Sequence, residues 1–325
     1  HNYGGSDGDR ARIVQQTNDG GYIVAGKSSS NDGNVSGNNG NRDYWLVKLD
    51  VSGNIEWEGN YGGSGDDWAW SVQQTDDGGY IVAGRSLSDD GDVSGNNGGG
   101  YDYWLVKLDA SGTIQWEGNY GGSLDDRAKS VQQTDDGGYI VVGLSKSDDG
   151  DVSGNNGDYD YWIVKLDSSG NLLWEVNYGG SDWDVTRSVQ QTEDGGYIVA
   201  GYSGSDDGDV SGNNKGGYDY WLVKLDSFGT IQWEGNYGGS DDDEADSVQQ
   251  TDDGGYIVVG ESESDDGDVS GNNGFTDFWI VKVDNIGNIE WEDNYGGTGD
   301  DQAEYVQQTD DGGYIGAGQS DSDDG

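Results

Sequence analysis

Cysteine, proline and methionine are absent from all 325 residues, and a single histidine stands at His1. Without cysteine there is no disulfide framework and no thiolate metal site, an absence compatible with both exported and intracellular proteins. With one terminal histidine, no Ser, His and acid constellation can be assembled, and zinc or copper centres lose their usual ligands. Long apolar runs are missing too. None approaches the roughly 18 residues that a membrane span requires, so membrane insertion is not expected. Basic residues are scarce: 15 Lys and Arg oppose 64 Asp and Glu, a formal charge of -49. Such a chain repels phosphate backbones and anionic bilayers, which argues against nucleic acid as a partner and favours divalent cations. No secretory leader is visible at His1, and the missing Met suits a mature or truncated product.

What is present is glycine, 62 residues of it, together with 13 Trp and 21 Tyr. Apolar residues make up only 31 %. The buried area must therefore come from a few large rings. The tetrapeptide NYGG begins at Asn2, Asn60, Asn119, Asn177, Asn236 and Asn294, at alternating spacings of 58 and 59 residues. One unit is repeated along nearly the whole chain. The expected organisation is a single repeat domain, 1–325, with units 2–59, 60–118, 119–176, 177–235, 236–293 and an incomplete 294–325.

Within each unit GGYIVVG and DYWIVKLD carry the β-branched and aromatic signature of strands, bounded by Gly and Asp. In DYWIVKLD both faces are largely apolar, so that strand is expected between two packed layers. AKSVQQT and LLWEVNYGG read as weaker strands, and TDDGG and DSSGN as hairpin turns. Apolar residues in SLDDRAKSVQQTDD show no three-and-four spacing, so no helix is expected. Four antiparallel strands per repeat imply an all-β fold: a β-propeller of about six blades, or alternatively an open β-repeat array.

The stretches YGGSGDDWAWSVQQTDDGGYIVAGRS and YDYWLVKLDASGTIQWEGNYGG resemble the β-propeller repeats of large exported bacterial surface proteins common in the Bacteroidota. The resemblance spans every unit. It implies a secreted or cell-surface propeller, often part of a longer protein, and implies no reaction.

Each complete unit also carries an acidic loop such as SDDGDVSGNNG at 147–157. Asp149, Asp151 and Ser153 alternate, Asn155 follows, and Asp160 stands at the twelfth position, the oxygen-ligand pattern of a calcium loop. The corresponding sets are Asp32, Asn34, Ser36, Asn38 and Asp43; Asp90, Asp92, Ser94, Asn96 and Asp102; Asp207, Asp209, Ser211, Asn213 and Asp219; and Asp266, Asp268, Ser270, Asn272 and Asp277. Calcium is the expected cofactor, and a plain solvated turn is the competing reading. Strand direction places this loop and the GGSLDD loop on one face, gathering Asp125, Asp126, Asp148, Asp149, Asp151, Asp158 and Asp160. Carboxylates so crowded repel one another unless cations bridge them.

Tryptophan recurs in two series, Trp45, Trp104, Trp162, Trp221, Trp279 and Trp57, Trp116, Trp174, Trp233, Trp291, whose regularity points to packing between blades. Trp68, Trp70 and Trp183 fall outside both and are the candidates for contact with a ligand. Catalysis finds no support: repeated carboxylates are equivalent, whereas an acid and base pair needs two made different. The expected function is a non-enzymatic, calcium-binding extracellular scaffold or adhesin. Calcium ions, glycans and other copies of the chain are its expected partners, and the unfinished sixth unit suggests a longer array or an assembly. The alternative is a carbohydrate-binding lectin propeller with one weak site per blade.

Overall fold

The computed structural model describes residues 1–212 and 216–323, so of the candidate residues only Asn213 lies outside it. The described residues contain strands, turns and no helix. The first blade comprises β1 (Asp9–Gln16), β2 (Tyr22–Ser28), β3 (Asp43–Leu49) and β4 (Ile55–Tyr61). The second comprises β5 (Asp67–Gln74), β6 (Tyr80–Ser86), β7 (Asp102–Leu108) and β8 (Ile114–Tyr120). The third has β9 (Asp126–Gln133), β10 (Tyr139–Ser145), β11 (Asp160–Leu166) and β12 (Leu172–Tyr178). Next come β13 (Asp184–Gln191), β14 (Tyr197–Ser203), β15 (Asp219–Leu225) and β16 (Ile231–Tyr237). The fifth blade has β17 (Asp243–Gln250), β18 (Tyr256–Ser262), β19 (Asp277–Val283) and β20 (Ile289–Tyr295), and the last described strands are β21 (Asp301–Gln308) and β22 (Tyr314–Ser320). The fold class is all-β, with antiparallel four-stranded blades whose strands lie in chain order.

The chain divides into two compact units, His1–Ser153 with Ile163–Glu175, and Gly154–Trp162 with Val176–Gly325. Each blade starts at the aspartate after the NYGG glycines, so blade boundaries are offset from the repeat boundaries drawn at the asparagine.

The third strand of each complete blade is buried along nearly its whole length. β7 and β15 are covered along their whole length, as two apolar faces require. In the first unit, Tyr44 and Leu46 pack with Ala69, Val82, Trp104 and Val106 in one core. The second unit repeats the arrangement with Tyr220, Leu222, Ala245, Val258, Trp279 and Val281. Tyrosine and tryptophan from consecutive blades meet there: the Tyr44 and Trp104 rings are 4.5 Å apart, and the Tyr44 hydroxyl donates to the Trp104 carbonyl at 2.8 Å. Tyr220 and Trp279 form the same pair in the second unit. The outer series does comparable work. Trp57 Nε1 donates to the Ala110 carbonyl, and the Tyr61 hydroxyl reaches the Gly112 carbonyl on the next blade's turn. Both tryptophan series therefore join blade to blade, which is why the repeat retains them.

One buried polar contact escaped sequence reading. Lys107 is 3 % exposed, and its ammonium donates to Asp77 in the TDDGG turn at 2.9 Å and to the Leu108 carbonyl at 3.0 Å. Lys48, Lys224 and Lys282 occupy the same place. The aliphatic stem fills the blade while the charge is spent on the turn.

Candidate functional site

Two features depart from plain blade packing. The first is the acidic loop. Its opening aspartates bind backbone: Asp149 Oδ1 accepts from Ser123 N at 2.7 Å, and Asp151 Oδ2 from Gly121 N at 3.3 Å. Asp90 and Asp92 bind Ser64 N and Gly62 N in the same way, and Asp32 takes Ser6 N. In the second unit Asp207, Asp209, Asp266 and Asp268 repeat these contacts. The acidic loop and the GGS loop are thus hydrogen-bonded on one face, as strand direction required. The rest of each set points elsewhere. Ser36 and Ser153 donate to Glu58 and Glu175, and Asn38 and Asn272 bind local carbonyls. Among the described residues, no three Asp, Glu or His side chains are gathered closely enough to hold a metal on their own.

The twelfth-position aspartates behave differently. Asp43, Asp102, Asp160 and Asp277 each begin a third strand and have no exposed surface. Each uses Oδ2 to accept a backbone N–H of its own loop, from Asn39, Asn97, Asn156 and Asn273. Each leaves Oδ1 buried without a hydrogen bond. The inserted residue in the second repeat is absorbed in the loop, so Asp102 begins its third strand as Asp43 does.

Opposite each stands the aspartate that opens the next blade. A Cβ on Gly121 would lie 2.6 Å from Asp102 Oδ1 and 2.7 Å from Asp126 Oδ2. Gly62 stands likewise between Asp43 and Asp67, and Gly179 between Asp160 and Asp184. Glycine is required here by space, since any side chain would drive into two carboxylates. Asp126 is well satisfied, accepting from Gly122 N at 2.8 Å and from the hydroxyls of Ser147 and Ser145. Burial, followed by the charges of Asp126 and Asp151, pushes Asp102 up to about 7. Burial and the charges of Asp184 and Asp209 do the same to Asp160. Asp43 rises to about 6 by burial and by Asp67 and Asp92.

The second feature breaks the repeat. Each first strand carries a bulge where its register with the second strand shifts, at Arg12, Trp70, Lys129, Arg187, Asp246 and Glu304. A bulge re-aims its side chain away from the regular pleat. In the first unit this position and the one two residues earlier hold Arg10, Arg12, Trp68, Trp70, Arg127 and Lys129. Trp68 and Trp70 stack with centroids 4.8 Å apart. Lys27 lies 3.4 Å over Trp68 and Lys129 lies 3.5 Å over Trp70. Arg85 sits between Trp68 and Tyr101, at 5.1 and 4.2 Å. Burial, then the charges of Arg42, Arg10 and Arg85, lowers the Lys27 pKa. Positive potential is thus concentrated locally in a chain that is strongly negative overall. In the second unit the same strand positions carry Arg187, Glu244, Asp246 and Glu304, and Arg187 pairs with Glu244 at 3.3 Å.

Of the three tryptophans singled out by sequence, Trp183 is 42 % exposed, edge-on to Tyr159. Trp68 and Trp70 are half-buried and largely covered by the cations above them. The cations were missed because a bulge and neighbouring strands bring them together, and neither is visible in a single repeat.

No known protein-family profile matches the chain. It is 28 % identical over 154 residues to the regulatory protein FlaEY of Caulobacter vibrioides, a match covering 44 % of this chain and 16 % of that protein. Among solved structures, a protein of unknown function from Bacteroides caccae superposes with a TM-score of 0.48 at 13 % identity, covering 88 % of this chain and 81 % of the other. Sqt1 from Chaetomium thermophilum gives 0.49 at 11 % identity, covering 92 % and 64 %.

Proposed function

We propose that this chain is a non-enzymatic, extracellular adhesive scaffold of β-propeller blades, which engages an acidic glycan through the aromatic and cationic side chains of its first unit. The observation that carries this reading is the break in the repeat. Everywhere that blades lock together the sequence is nearly the same from repeat to repeat, whereas the bulged first strands of the first unit carry Arg10, Arg12, Trp68, Trp70, Arg127 and Lys129 where the second unit has Val185, Arg187, Glu244, Asp246, Gln302 and Glu304. Guanidinium and ammonium groups spread over indole faces keep their charge while lying in a half-buried place, which suits recognition of separated carboxylate or sulfate groups. A continuous phosphate chain would meet the repulsion of the remaining surface. The repeated carboxylates elsewhere are equivalent to one another, which supports binding over catalysis.

The test is binding of polyuronate and sulfated oligosaccharides to the intact chain, measured by biolayer interferometry at physiological salt. Arg10→Glu with Arg42→Glu, both on the exposed rim, should weaken binding at least about tenfold. Neutral glucans should not bind. Equal binding of neutral and acidic glycans, or full affinity in the charge-reversed variant, would overturn the reading.

A further inference from the structure

We propose that the aspartate pairs at the blade rims, Asp102 with Asp126 and its counterparts, each hold one calcium ion between consecutive repeats, in place of an ion held inside each acidic loop. Three observations carry this. Asp102 is fully buried, and its Oδ1 has no hydrogen-bond partner. That oxygen and Asp126 Oδ2 lie 2.6 and 2.7 Å from the position a Cβ on Gly121 would take, so they are no more than about 5.3 Å apart, close to what one calcium ion bridges at calcium to oxygen distances of about 2.3–2.6 Å. Asp126 accepts three hydrogen bonds from Gly122, Ser145 and Ser147, which fix its carboxylate across Gly121 from Asp102.

Both donors are hard oxygens, which suit calcium or magnesium and exclude soft-metal preference. Calcium is favoured because it accepts irregular sets of six to eight oxygens, with water and carbonyls filling what two carboxylates leave. Magnesium demands a near-regular octahedron. The ion would tie the end of one acidic loop to the first strand of the next blade, adding a neighbour contact of the kind that stabilises repeat arrays.

The experiment is calcium titration of the intact chain by isothermal calorimetry, paired with melting temperature in calcium and in chelator. Wild type should bind several equivalents and melt higher with calcium. Asp102→Asn should lose one equivalent and melt higher than wild type in chelator, because one of two facing charges has gone. Gly121→Ala, which fills the cradle but keeps both carboxylates, should also lose one equivalent. Asp149→Asn, in the acidic loop but outside the pair, should keep full stoichiometry. Absence of calcium binding would show that the pairs share only a proton and would overturn the proposal. Loss of an equivalent in Asp149→Asn with none lost in Asp102→Asn would overturn it in favour of the loop.

Discussion

Glu261 offers a sharp test of how this acidic chain tolerates its own charge. It lies on β18 directly opposite Glu244 in the ladder, with Asp246 and Glu263 nearby and Arg187 as the neighbouring cation. Its Oε2 is buried without a hydrogen bond. Burial, then the Glu244 and Asp246 carboxylates, pushes it from 4.5 up to about 7. A folded value above the unfolded one means that the native state holds the proton more tightly. Stability from this group is therefore unimpaired below about 4.5, falls as pH rises to about 7, and stays reduced above that. The displacement corresponds to ~3 kcal/mol at about 1.4 kcal/mol per tenfold, and partial exposure reduces it by screening to ~1–2 kcal/mol. Glu261→Gln removes the charge and keeps the shape. Urea denaturation should show the variant ~1–2 kcal/mol more stable than wild type at pH 8, with the curves converging near pH 4.5. A variant no more stable at pH 8, or an advantage independent of pH, would refute the argument.

Trp104→Ala should cost ~3–5 kcal/mol, because the ring is fully buried, packs on Tyr44 and donates Nε1 to Glu117 at 2.9 Å. Trp291→Ala, at 39 % exposure, should cost clearly less, and equal urea midpoints for the two variants would contradict the packing described. Lys165→Met keeps the buried stem and removes the ammonium that reaches Asp136 at 3.0 Å. Although burial pushes Asp136 up, hydrogen bonds from Thr134, Gly138 and Lys165 outweigh it and hold that carboxyl at about 2. The stability difference from wild type should be constant above about pH 4 and shrink as acid titrates Asp136, because a depressed carboxyl stabilises the fold only while ionised. A difference that grows on acidification would show that the contact is not ionic.

Much of this protein was legible in one dimension. The 58 and 59 residue spacings of NYGG, the doubly apolar DYWLVKLD strand and the Gly-containing turns define a repeated four-stranded meander. Each depends only on local period and on backbone angles that a short segment sets for itself. The two tryptophan series were likewise readable as packing, since regular recurrence on strands leaves them little else to do. The acidic loop was recognisable as a loop, and its twelfth residue was read as a closing calcium ligand. Its partner was not. Asp102 meets Asp126 across Gly121 only because one blade ends where the next begins, and the loop aspartates Asp149 and Asp151 are spent on Ser123 and Gly121 of the neighbouring turn. The cationic cluster is equally invisible in sequence: Lys27, Arg85 and Lys129 sit on three different strands, and Trp70, at a bulge, meets Arg12 and Lys129. Pattern along the chain determined the strands, the turns and the repeat because those interactions are short-ranged. Which carboxylates face each other, and which cations cover which rings, was decided by the stacking of separate sheets, a relation between residues far apart in sequence that no local spacing encodes.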